Sequence, residues 1–96
     1  YADEANDDLV EIYNYIASDN MEMAKAFMAK MKSSIELLSS MPQLAPQSRY
    51  PELKALGIRV LVFEQYLIFY VINEDLKEVD IVRVRNGVTN YKNLFN

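Results

Sequence analysis

Ile58-Arg59-Val60-Leu61-Val62-Phe63-Glu64-Gln65-Tyr66-Leu67-Ile68-Phe69-Tyr70-Val71-Ile72 is the stretch on which the fold turns. Two β-branched and aromatic runs flank the polar pair Glu64-Gln65, the pattern of two strands joined by a tight turn. A polar turn from Asn73 to Glu78 follows, and Val79-Asp80-Ile81-Val82-Arg83-Val84 supplies a third strand. Links this short carry no crossover, so strands over 58–64, 66–73 and 79–85 form an antiparallel meander.

Upstream of Gly57 the period changes from strand to helix. Ala5, Leu9, Ile12, Tyr13 and Ile16 recur at helical spacing, which predicts a first helix over 3–18 with Asp3 as its cap and acids in its first turn. Asp19, with Glu22 three residues on, reads as the capping box of a second helix over 20–41. Its apolar stripe is Ala24, Phe27, Met28, Met31, Ile35 and Leu38, and Pro42 ends it. So short a joint makes the pair an antiparallel hairpin. Residues 42–57 contain all three prolines and read as one irregular connection. The expected fold is α+β, a two-helix antiparallel hairpin packed on one face of a small twisted antiparallel β-sheet, in a single domain spanning 1–96.

The middle strand is apolar on both faces. Tyr66, Ile68, Tyr70 and Ile72 point one way, and Leu67, Phe69 and Val71 the other. A hairpin covers only one face, and a chain of 96 residues offers no obvious third layer. The second face is therefore expected to be covered by a partner.

Composition narrows the chemistry. The chain is 51% hydrophobic and 25% charged, a globular balance, and its longest apolar run, Tyr66 to Ile72, is too short to span a membrane. Cysteine and histidine are absent, which removes disulfides, thiol nucleophiles, His-based triads and the common zinc motifs. No cofactor or metal is expected. The lack of a basic leader and of cysteine points to the cytoplasm. The net charge of −4 is unevenly spread: residues 1–24 carry seven acids and no base, and residues 25–96 carry ten bases against seven acids. Overall acidity argues against tight general binding of nucleic acid.

These pieces together carry a family resemblance. Asp8-Leu9-Val10-Glu11-Ile12-Tyr13-Asn14-Tyr15-Ile16-Ala17 resembles the opening of the RelE/ParE toxin superfamily. So do Ile35-Glu36-Leu37-Leu38 before Met41-Pro42, Gly57-Ile58-Arg59-Val60-Leu61, Tyr66-Leu67-Ile68-Phe69-Tyr70-Val71 and Ile81-Val82-Arg83-Val84 with Gly87. Tyr91-Lys92-Asn93-Leu94-Phe95 resembles the family's closing segment. The ordered set is most similar to the ParE branch and the plasmid stabilisation proteins. In that family a strand precedes the first helix, and Tyr1 and Ala2 look like its end.

The resemblance implies a bacterial toxin of a type II toxin–antitoxin pair, a growth regulator neutralised by a cognate antitoxin. Three functions stay open. A ParE-like toxin acts by binding, with DNA gyrase as the family's usual target. A RelE-like toxin is a ribosome-dependent endoribonuclease of messenger RNA. A toxin-fold binding module has a degraded active site. Nuclease work needs proton donors and acceptors beside the scissile phosphate and cations to stabilise the charge that builds there. Arg59, Arg83, Arg85 and Tyr91 are the weak catalytic candidates. Leu67 stands where the nucleases tend to place a cation, and 86–90 lacks charge altogether. The expected antitoxin-binding residues are Arg59, Leu67, Phe69, Val71, Arg83 and Arg85, the arginines meeting acids of the antitoxin tail. Bland alternatives are cross-strand pairs of Arg59 and Arg83 with Glu64 or Asp80.

Overall fold

The computed structural model describes residues 1–87. Its elements are α1 (Asp3–Ala17), α2 (Met21–Ser40), α3 (Pro51–Ala55), β1 (Arg59–Phe63), β2 (Tyr66–Asn73) and β3 (Glu78–Asn86). The strands form one antiparallel sheet in the order β1-β2-β3, so the α+β arrangement of hairpin and meander stands as expected. Glu64, in the tight turn between β1 and β2, adopts a positive φ of 53°.

Both helix starts lie one residue from the expected caps. Ala2, not Asp3, is the extended residue before α1, and Asp3 joins Glu4 in the first turn, where carboxylates favour the positive end of the helix dipole. The amide of Asp19 still donates to the Ile16 carbonyl at the end of α1. The Asn20 amide donates to the same carbonyl, so both residues close α1. Asn20, not Asp19, caps α2: it is extended, and its side-chain oxygen accepts from the Met23 amide at 3.0 Å.

The hairpin side holds the larger core. Leu9 and Ile12 of α1 and Met31, Ile35 and Leu38 of α2 close over Tyr66, Ile68 and Tyr70 of β2 and Ile81 and Val84 of β3. Phe27 meets Phe63 and Tyr66 edge-on, with ring centroids 5.4 and 5.7 Å apart. Strict alternation puts Ile81 and Arg83 on one face of β3. The register instead slips by one residue, Phe69 facing Arg83 while Tyr70 faces Ile81, so Val82 bulges. The bulge turns Ile81 and Val84, three apart, toward the same core and releases Arg83 from it.

The second face is where the expectation fails. Residues 42–57 are not one irregular connection, because they contain α3, and α3 supplies the third layer. Pro51 sits in the first turn, where its fixed φ suits a helix and its missing N–H is not needed. Gly57, at φ +74°, ends the helix: its amide donates to the Lys54 carbonyl and the Ile58 amide to the Leu53 carbonyl. This left-handed closure brings Ile58 onto Leu53, and together they bury Phe69. Backbone bonds from Ser48 to Ile58 and from Val60 to Pro46 dock the connection along β1. The Tyr70 hydroxyl donates to the Pro42 carbonyl at 2.8 Å and accepts from the Ala45 amide at 3.3 Å.

Candidate functional site

Ala5, Asp8, Leu9 and Ile12 are the buried residues of α1, at the spacing of one helix face. A carboxylate therefore occupies a core position, and Asp8 is only 4% exposed. Burying it is tolerable only with its oxygens fully engaged. Oδ2 accepts from Arg83 Nε at 2.8 Å and from the Val84 amide at 2.9 Å. Oδ1 accepts from Arg83 Nη2 at 3.1 Å and from Arg85 Nη1 at 3.3 Å. Arg85 Nη1 also lies 3.8 Å from the exposed Glu11 carboxylate.

The sheet explains why these groups meet. Strand β3 lies at the edge, and an open edge presents unpaired backbone groups. Asp8 takes one of them, the Val84 N–H, and the Ala2 amide donates to another, the Ile81 carbonyl, at 2.8 Å. The register sets Arg83 opposite Phe69 and Arg85 opposite Leu67, and both guanidinium groups reach Asp8 beside that edge. The bidentate bond to Asp8 raises the Arg83 pKa above its ordinary value, against the opposing effect of burial.

The candidate residues thus separate. Arg83 and Arg85 come together on Asp8. Arg59 lies elsewhere, its Nη1 donating to the Ala45 carbonyl at 2.7 Å, so it clasps the connection. Neither Arg59 nor Arg83 makes the cross-strand pair with Glu64 or Asp80. Leu67 and Val71 are half-buried around the α3 cluster, and Phe69 is fully buried beneath it. Phe69 is thus no surface for a partner, because Leu53 and Ile58 already cover it. Tyr91 and the closing segment lie outside the described residues. Asp8 is the residue that sequence reasoning passed over, though an acid amid the stripe of Ala5, Leu9 and Ile12 was the available signal.

Chemically, this is an arrangement for holding cations in place. Among the described residues no group of acids could hold a metal ion, and no helix is long and apolar enough to cross a membrane. Two further features face outward. A groove of about 820 Å³ runs between α1 and α2, lined by Val10, Tyr13 and Met28 with Lys25 and Lys32 beside it. A smaller cleft of about 380 Å³ opens between α1 and the start of β2, with Arg85 in its wall.

A helix hairpin laid on an antiparallel three-stranded meander is an α+β fold consistent with a RelE/ParE-like arrangement. The sequence model described as the ParE toxin of type II toxin-antitoxin system, parDE, matches residues 1–91, and the chain belongs to that family. No curated protein matches the chain. Membership makes it the toxin of a toxin–antitoxin pair, with an antitoxin as its partner.

Proposed function

We propose that this toxin acts by binding, with DNA gyrase as its target, and that its antitoxin neutralises it by covering exposed apolar surface. The observation that carries this reading is the employment of the arginines. Arg83 is engaged bidentately by Asp8, and Arg59 is tied to a backbone carbonyl. Cations committed in this way are poorly disposed to stabilise charge on a scissile phosphate, and the described residues supply no histidine or free acid–base pair beside them. The α1–α2 groove suits an amphipathic helix of the antitoxin, its acids meeting Lys25 and Lys32, while Leu67 and Val71 offer a smaller apolar contact. Such an interface is expected to bury more than about 1,000 Å² in total.

The test sets two assays side by side. Purified toxin should inhibit gyrase supercoiling and leave messenger RNA intact on ribosomes, and Tyr91→Phe should leave growth arrest nearly unchanged. Ribosome-dependent cleavage that Tyr91→Phe abolishes would instead establish the RelE-like reading. Hydrogen exchange of the chain, free and with antitoxin, should show added protection along α1, α2 and β2 in the complex. Equal protection in both states would refute the proposed covering.

A further inference from the structure

Asn86, the last residue of β3, is the one asparagine of the sequence with a glycine after it. Such a pair has a chemistry of its own. The backbone nitrogen of the glycine attacks the side-chain carbonyl carbon of the asparagine and closes a five-membered succinimide. The side-chain nitrogen departs as ammonia, taking with it the proton of the attacking nitrogen. Water then opens the ring at either carbonyl and leaves an aspartyl or an isoaspartyl residue. The sum is amide plus water to carboxylic acid plus ammonia, with no oxidant and no co-reactant but water. Asparagine is labile for this reason, and glycine favours the attack because no Cβ obstructs the close approach.

The fold holds this reaction back at a single point. Asn86 is in register with Tyr66, and the Gly87 amide donates to the Gln65 carbonyl at 2.7 Å. Side chains of a strand stand across the sheet, whereas its N–H groups lie in the sheet plane. The attacking nitrogen is thus engaged by an acceptor and aimed away from the side-chain carbon. The missing Cβ of Gly87 serves this contact as well, since an added one would lie 3.3 Å from the Gln65 carbonyl oxygen. Gly87 is exposed and lies just past the strand, where local opening costs least. Opening there has a lasting consequence. Asn86 shares the wall of the cleft between α1 and β2 with Asp8 and Glu11, so a new carboxylate joins two others. An isoaspartyl residue also adds a methylene to the main chain, which spoils the register with Tyr66.

We propose that Asn86–Gly87 is a self-modification site gated by the bond from Gly87 to Gln65. Molecules whose β3 end opens are converted to aspartyl and isoaspartyl forms, which re-form that end less readily. The device is one-way, because water supplies the second reactant and ammonia leaves. It is independent of the toxin's target and of its antitoxin.

The test incubates the full chain at neutral pH, folded and in concentrated guanidinium chloride, and follows Asn86 by peptide mass spectrometry. Deamidation should concentrate at Asn86 in the denatured chain and be at least roughly tenfold slower in the folded one. Hydrogen exchange at the Gly87 amide should be slowed by a similar factor, because the same opening frees that nitrogen for both reactions. The isoaspartyl form, once isolated, should exchange faster than the unaltered chain at the paired ends of β2 and β3. Asn86→Gln should keep its mass, since its ring would need six members; should that variant fail to fold, the folded and denatured rates of the unaltered chain still decide. Equal rates in the two states would overturn the proposal. So would a denatured chain in which Asn86 reacts no faster than Asn73, or an isoaspartyl form that exchanges like the unaltered protein.

Discussion

Ile68 and Phe69 are neighbours on β2, both completely buried, and the layers that bury them differ in kind. Ile68 lies beneath two helices of 15 and 20 residues that pack on each other as well as on the sheet. Phe69 lies beneath Leu53, on a helix of five residues, and Ile58, just past that helix's end. A helix that short has almost no stability of its own, so its place depends on its caps and on the backbone bonds of the flanking segments. One face of the sheet is thus a cooperative core, and the other is a strap whose opening need not unfold the rest.

Substitutions on the two faces should separate these behaviours. Ile68→Ala leaves a cavity in the shared core and should lower stability by about 4 kcal/mol, read as a fall in the urea midpoint with α1, α2 and the sheet exchanging together. A change confined to β2 would show that the hairpin side is not one unit. Asp8→Ala strands two guanidinium groups and the Val84 amide at the β3 edge, for about 3 kcal/mol. Because the hairpin holds Asp8, that loss should also appear in the global transition.

Leu53→Ala is the counterpart on the strap, at about 2 kcal/mol. Hydrogen exchange should rise over residues 48–58 while α1 and α2 keep their protection. Equal acceleration in the helices would merge the two layers and break the comparison. The smallest effect belongs to Tyr70→Phe, which removes the bonds to Pro42 and Ala45 for about 1 kcal/mol. Burial raises the Tyr70 pKa, opposed by the bond to Ala45 and the charge of Arg59. The folded state therefore holds the phenolic proton more tightly than the unfolded chain does. That contribution is complete below the unfolded value of about 10 and is lost as pH rises through the folded one. Unaltered protein should lose stability more steeply than Tyr70→Phe in that alkaline range, by urea denaturation at several pH values.

The contrast between the layers tracks what could be read beforehand. The hairpin and the meander are long and strongly periodic, and their sides were legible in Leu9, Ile12, Met31 and Ile35 and in the alternation of Tyr66, Ile68 and Tyr70. The strap was not, because its three prolines announce irregularity and its five-residue helix is too short to show a period. Its signals were Pro51 at the helix start and Gly57 past its end, which acquire meaning only as a pair. The arginines were legible as cations but not as partners. Asp8 lies 75 residues from Arg83, and nothing local announces that pairing.

Local chemistry alone determined the order and type of the main elements, because helical and strand periods express which side chains must leave water together. It also determined the absence of thiol and imidazole chemistry, which is a matter of inventory. The tertiary structure decided that the second face of β2 is covered within the chain, since Leu53 and Ile58 lie over Phe69. It decided as well, through the bulge at Val82, that Ile81 and Val84 share a core while Arg83 turns to Asp8. Register and long-range charge pairing depend on how strands and helix are placed against one another, and a side chain's environment exists only once that placement has been made.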